Sequence, residues 1–389
     1  MDTFDVVVIG GGAAGTAAAL AAAHAGARVA LVGRGPGAAA LAGGGWRDAP
    51  PPELRTALAA AGLELVNCDG ALPHPDGVLV ACDVAGASHG RASLSPGDRG
   101  IVVCGIAGLP SFHASSLAAL WSDEAGLDDG AVRAVTIALD ATPAAGWSPA
   151  SLAGLLDRQP ELLAAGVARV MRESGAHRLI LPAVLGMENH ARVLQLIGAA
   201  AGTVTGEALG SAPSVPGWRL DRALQRVTRN AGVRMLGGRV VHAAVQRRQV
   251  QSVSVAAGAG TTNLGAACFV LATGKYIGGG ITAAAEFEEP ALGCDVALER
   301  FTRTIDDPGA ALVLTDPVRT EPQPVLSAGV RVDEQGRPLT AAGDVFLANV
   351  FVAGSVRAGI ETAMLGLGAA THDGSAAGAR AASLAAGRT

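Results

Sequence analysis

The tightest constraint on this chain lies between residues 5 and 33. Asp5-Val6-Val7-Val8-Ile9 is a short β-branched run, long enough for a buried parallel strand. Gly10-Gly11-Gly12-Ala13-Ala14-Gly15 follows at once. An alanine-rich stretch from Thr16 to Ala25 then predicts a helix, closed by Gly26. Arg28 to Val32 predicts a second strand. Strand, glycine turn, helix and strand within about 30 residues is the setting in which GxGxxG predicts a Rossmann-type βαβ unit. Gly10 permits the tight turn, Gly12 lets backbone approach a phosphate, and Gly15 lets helix pack on strand. The helix start, with Ala13 and Ala14, aims free N–H groups and a positive dipole end at that phosphate.

At the end of the second strand, a carboxylate normally binds the ribose of an adenosine half. Here Gly33 holds that place, followed by Arg34. A ligand without an adenosine ribose, such as FMN, needs no such acid. An FAD held by other contacts, or an acid supplied from elsewhere, are the alternatives. In Gly43-Gly44-Gly45-Trp46 the glycines admit close approach to a ligand that Trp46 could cover; an ordinary connecting loop is the other reading.

Composition excludes several classes of function. A net charge of -5 leaves no basic footprint for nucleic acid. The acidic N-terminal residues do not read as a signal peptide, and no stretch of about 20 apolar residues escapes glycine or charge. The expectation is a cytoplasmic chain without direct electrostatic binding to a membrane. The five cysteines are scattered without a CxxC pair, so neither a metal site nor an iron-sulfur centre is expected.

Further along, Ile101–Cys104 and Arg178–Leu181 read as strands; 117–121, 152–156, 161–172 and 219–231 read as helices. Strands are expected at 233–236, 239–245, 251–256, 268–272 and 345–352, with a turn at Arg247-Arg248 and a last helix near 374–386.

Four signatures in this order resemble the glutathione-reductase-like flavoprotein superfamily. They are Gly10 to Gly15, Leu271-Ala272-Thr273-Gly274, Val350-Phe351-Val352-Ala353-Gly354, and the glycine-rich approach to the last helix. Within it the chain is most similar to the family of the B-type subunit of anaerobic glycerol-3-phosphate dehydrogenase. That likeness rests on Val32-Gly33-Arg34-Gly35, Leu181 to Gly186, Val215 to Leu220, Val270 to Gly280 and Gly329 to Asp333. Lys275, Ser355-Val356-Arg357-Ala358 and Ala42-Gly43-Gly44-Gly45 depart from the family pattern.

The resemblance implies an α/β fold, a Rossmann-like flavin-binding domain with an inserted second α+β domain on the substrate side. The expected segments are 1–105, 217–285 and 341–389 for the flavin-binding domain, 106–216 for the inserted domain and 286–340 for its return. Flavin contacts are expected from Gly10, Gly12, Ala13, Ala14, Gly15, Gly33, Arg34, Gly43, Gly44, Thr273, Gly274, Lys275, Gly354 and Ser355. FMN is the expected flavin, with FAD the alternative. The implied partners are a catalytic FAD-containing subunit and an iron-sulfur subunit. Together they oxidise glycerol 3-phosphate to dihydroxyacetone phosphate and pass electrons to quinone. A self-sufficient flavin oxidoreductase of a small hydroxy acid or polyol phosphate, and a flavin-free scaffold, are the alternatives.

No histidine sits in a motif that assigns a catalytic base. Lys275, the only lysine, reads either as a cation beside the flavin or as a solvated turn residue. His372, before the last helix, is a candidate flavin contact, and His190 is either catalytic or a helix-start or interface residue. Arg331 and Arg357 are further candidates, with an interface role as the alternative.

Overall fold

Alternation along the N-terminal strand organises the first sheet. Val6 and Val8 face one side, Val7 and Ile9 the other, and all four are buried. The computed structural model describes residues 2–140, 143, 145–283, 286–298, 323–360 and 366–387. They fall into two compact units: Met1–Ala39, Pro50–Ala57 and Leu224–Thr389 form the first, and Ala40–Ala49 and Leu58–Ala223 the second. Residues 299–322, part of the expected return segment 286–340, lie outside the described residues.

In the first unit, Asp2–Ile9 pairs in parallel with Val29–Gly33 on one side and Gly260–Leu271 on the other. Arg234–Gly237 extends the parallel set beyond Val29–Gly33. The long strand Gly260–Leu271 has two neighbours on its far side. Its first half pairs antiparallel with Gln249–Ala257, and its end pairs in parallel with Val350–Val352. The hairpin joining Arg239–Gln246 to Gln249–Ala257 turns at Arg247 and Arg248, with φ of 51° and 60°. Two positive φ values in a two-residue loop match the twist of the strands it joins.

One face of this sheet, carrying Val6, Val8, Leu31, Val270 and Phe351, packs on the helices Ala13–His24 and Leu367–Ala385. The two helices are pressed together by small residues. A Cβ on Gly374 would lie 2.1 Å from the Ala14 carbonyl oxygen, and one on Gly378 would lie 2.1 Å from that of Ala18. The other face, with Val7, Ile9, Val32, Phe269 and Leu271, is covered by a separate apolar cluster.

The second unit has a four-stranded sheet in the order Val204–Glu207, Arg178–Leu181, Ile101–Ile106, Val132–Ile137, parallel throughout. Helices Ala114–Glu124, Glu161–Ser174 and His190–Ala201 lie between successive strands in the chain. This corrects the α+β expectation for that unit: its centre is a wound parallel sheet. The continuous apolar runs Ile101-Val102-Val103-Cys104 and Leu179-Ile180-Leu181 are the physical signature, since strands covered on both faces do not alternate.

Candidate functional site

The parallel strands of the first unit end side by side, and their ends carry the glycine turns. Gly10 has φ of 121°, and a Cβ there would sit 2.1 Å from the Ala272 carbonyl oxygen. A Cβ on Gly15 would sit 1.8 Å from the Gly10 carbonyl oxygen. Both positions therefore demand glycine for packing. Gly12 differs: its φ is -78°, and a Cβ there would meet nothing within 4 Å. The space in front of Gly12 is open, as a bound phosphate requires. The helix Ala13–His24 begins at Gly12 with no side-chain cap and no acid in its first turn. Its leading N–H groups and positive dipole end thus face the opening unneutralised.

Thr273 and Gly274 follow the strand Gly260–Leu271, and Gly354 and Ser355 follow Val350–Val352. The Thr273 hydroxyl is buried with no hydrogen-bond partner among the described residues. Such an orphan costs about 1–3 kcal/mol unless something binds it. Gly354 has φ of 74°, and its N–H donates to Asp373 Oδ2 at 2.7 Å. The other oxygen of Asp373 pairs with the Arg357 guanidinium, whose buried Nε has no partner among the described residues. The cradle of small residues, the uncapped helix and the orphaned hydroxyl together fit a phosphate-bearing cofactor.

The other expected residues divide. Gly33 lies beside Gly11, and a Cβ on it would have its nearest neighbour at 3.5 Å, so space does not exclude an acid there. Arg34 is exposed, with its guanidinium beside Gly279. Lys275 is 8% exposed, and its ammonium donates to the backbone carbonyls of Leu326 and Ile360. It is no solvated turn residue; it ties the short helix Pro324–Ser327 and the segment at Ile360 to the strand end. His372 is exposed on the last helix. Arg331 donates to the carbonyls of Thr340 and Ala341.

Gly43, Gly44 and His190 belong to the second unit. There a Cβ on Gly43 would lie 2.7 Å from the Gly210 carbonyl oxygen, and one on Gly44 would lie 2.4 Å from His89 Nε2. Packing within the unit is a sufficient reason for both glycines.

His190 is part of a buried polar cluster. Arg219 grips Glu207 with two N–H donors, at 2.7 Å to Oε2 and 3.0 Å to Oε1. Ser88 Oγ donates to Oε2 at 2.9 Å and the Leu185 N–H to Oε1 at 2.8 Å. His190 Nε2 is 3.8 Å from Glu207 Oε2, and its Nδ1 donates to the Leu185 carbonyl at 2.8 Å. Burial opposes the charge on Glu207, yet Arg219 and the two histidines hold its carboxyl well below the usual range. Burial, aided by Arg219, pushes His190 down to about 4. Sequence reasoning singled out His190 and missed Ser88, Glu207 and Asp373; His89 is one of several histidines that no motif marks, and Arg219 lies in the family-like run Val215 to Leu220. No local pattern links these residues: Ser88, His89, Glu207 and Arg219 meet only through the fold of the second unit, and Asp373 lies on the last helix of the first.

Among the described residues no helix is long and apolar enough to cross a membrane. Two relatives match over nearly the whole chain. A probable B subunit of anaerobic glycerol-3-phosphate dehydrogenase from Halobacterium salinarum is 29% identical, covering 97% of both chains. The B subunit of anaerobic glycerol-3-phosphate dehydrogenase from Yersinia pestis is 27% identical, covering 94% of both. Among solved structures, the 3-ketosteroid-delta4-(5alpha)-dehydrogenase from Rhodococcus jostii RHA1, in complex with 4-androstene-3,17-dione, aligns over 98% of this chain and 97% of its own. Its identity is 15% and the TM-score 0.42. The expected preference for FMN finds no support, and FAD is favoured, because the family model that matches is described by FAD. That model, the FAD binding domain, matches residues 5–61 and 70–370, and the chain therefore belongs to the FAD-binding-domain family of flavoproteins.

Proposed function

We propose that this chain is a flavin-bearing, electron-transferring subunit of a respiratory glycerol-3-phosphate dehydrogenase-like complex, with FAD as its cofactor. The observation that carries this reading is the likeness to a B-subunit relative over 97% of both chains. The complex oxidises glycerol 3-phosphate to dihydroxyacetone phosphate and delivers the electrons to quinone. Its other members are a catalytic FAD-containing subunit and an iron-sulfur subunit. Through them the chain sits at the inner face of the cytoplasmic membrane.

When bound, the flavin supplies reversible uptake of reducing equivalents. The protein's own residues hold and orient it. The turn Gly10-Gly11-Gly12 and the N–H groups of Ala13 and Ala14 receive the phosphates. Gly15 keeps the helix close enough to the strand for those donors to converge. Gly33 and Arg34 lie at the next strand end, where they would hold the adenosine half. The orphaned Thr273 hydroxyl, with Gly274, Gly354 and Ser355, lines the other side of the cradle. Asp373 fixes the Gly354 turn by taking its N–H. Lys275 holds the adjoining segments through two carbonyls, a positioning role.

The test is glycerol 3-phosphate oxidation with an artificial acceptor, assayed on the flavin-loaded chain alone and on the chain purified from its native host. The proposal expects little turnover alone and strong turnover in material that also contains FAD-bearing and iron-sulfur chains. Ordinary dehydrogenase turnover by the isolated chain would overturn it in favour of a self-sufficient enzyme.

A further inference from the structure

The second unit contains a cavity of about 450 Å³ whose wall includes Trp46, Leu194, Leu220, His89, His190 and Arg219. We propose that this cavity binds a small uncharged compound made of an apolar ring and a hydroxyl group, with the hydroxyl donating to Nε2 of His190. The inference stands on the second unit alone and does not depend on the flavin reading above.

Accounting for donors and acceptors identifies the ligand class. Each oxygen of Glu207 already accepts two hydrogen bonds, one from Arg219 and one from Leu185 N–H or Ser88 Oγ. The carboxylate has little left to offer and cancels the charge of the guanidinium beside it. An anion gains no net attraction from that pair. Both histidines spend their Nδ1–H on backbone: His190 on the Leu185 carbonyl at 2.8 Å, His89 on the Glu207 carbonyl at 3.1 Å. Each neutral ring then presents Nε2 as an acceptor only. Nε2 of His190 has no hydrogen-bond partner among the described residues. A ketone, a quinone or a carboxylate would set lone pair against lone pair there. A hydroxyl supplies the missing donor, and its oxygen can still accept from the guanidinium N–H groups that the ion pair leaves unused. The remainder of the wall sets Trp46, Leu194 and Leu220 beside the oppositely charged Glu64 and Arg91 and the polar Gln195; its apolar part receives the ring, and its charges, one of each sign, favour no ion.

The setting is built with rigid parts. Glu207 ends the strand Val204–Glu207, and His190 opens the helix that follows Arg178–Leu181. The site therefore lies beyond the carboxyl ends of a parallel sheet, where open α/β sheets hold their ligands. Asp157 accepts the N–H groups of Met187, Glu188 and Asn189 at 2.9–3.0 Å, which fixes the loop that delivers His190.

The experiment compares 2-naphthol with 2-methoxynaphthalene, which keeps the ring but cannot donate, on the flavin-loaded full-length chain by calorimetry. The expected result is that 2-naphthol binds about tenfold more tightly, as one hydrogen bond of ordinary strength provides. In His190→Phe the difference should shrink to less than about twofold. Should that variant fail to fold, histidine-selective ¹⁵N spectra of the wild-type chain decide. Nε2 of His190 should shift on adding 2-naphthol and stay in place with the ether. Equal binding of the two probes, no binding of either, or an unmoved His190 resonance would overturn the inference. Flavin absorbance of the same sample reports separately on the cofactor. A colourless chain that prefers 2-naphthol would keep this inference and sink the flavin reading.

Discussion

At the scale of single residues, Glu207 concentrates the opposing forces of the second unit. Its side chain is 0% exposed, so its ionisation survives only because Arg219, Ser88 and the Leu185 N–H surround it. Removing one partner of such a pair leaves a buried charge uncompensated, at a cost of about 3–5 kcal/mol. Glu207→Gln should therefore lower the urea midpoint strongly. Replacing Arg219 by Met as well should recover part of the loss. A double variant less stable than the single one would contradict the account.

The histidines of this cluster add a pH dependence. Burial lowers His190 and His89, and also His74 elsewhere in the second unit, so the unfolded chain binds more protons than the folded one below the ordinary histidine pKa of 6.5. For His190, which the fold holds near 4, stability should fall as pH drops from 6.5 toward 4. Below that, protonation of Glu207 removes more. Thermal melts across this range should show the decline, with a shallower slope in His190→Gln; equal slopes would remove His190 from the explanation.

His190 was visible in the sequence because it follows Leu181 to Gly186, which resembles a family segment. Its partners were invisible there. Glu207 meets it through the parallel pairing of Arg178–Leu181 with Val204–Glu207, which no sequence spacing encodes.

At the scale of elements, the first βαβ unit was the most legible part of the chain. The β-branched run and the alanine helix agree with each other and with the turn between them. The second parallel sheet was only half legible. Ile101–Cys104 and Arg178–Leu181 read as strands from their apolar runs. Val204–Glu207 did not, since Val-Thr-Gly-Glu at a sheet edge carries a glycine and a charge. The N-terminal half of Gly260–Leu271 was hidden for the same reason, its early residues being glycine, threonine and asparagine.

The glycines of the first turn separate packing from binding. Gly12→Val places its Cβ in open space at an ordinary φ, so the apo fold should keep its stability within about 0.5 kcal/mol while flavin occupancy falls at least about tenfold. Gly374→Val drives a side chain into the Ala14 carbonyl and should cost about 1–3 kcal/mol of stability. Chemical denaturation and the flavin-to-protein absorbance ratio check both. A stable, fully yellow Gly12→Val protein would mean that the phosphate does not lie at this turn.

At the scale of the whole molecule, the expectation of FMN is the one that finds no support. It rested on the absence of a carboxylate at Gly33. One missing contact is a weak discriminator, because an adenosine ribose can be held from any neighbouring backbone or side chain. The match of the FAD-binding-domain model over residues 5–61 and 70–370 draws on the whole framework of turns and strand ends. The low charge content, 16%, fits a chain whose surface is covered by partners, since soluble domains carry about a quarter. The central claim remains that the Gly10–Gly15 cradle holds an adenine-dinucleotide flavin. Denaturing release of the cofactor from the purified native chain, with mass spectrometry of the supernatant, tests it most directly. The account predicts FAD at one equivalent per chain; FMN alone, or a chain that neither carries nor takes up flavin, would contradict it.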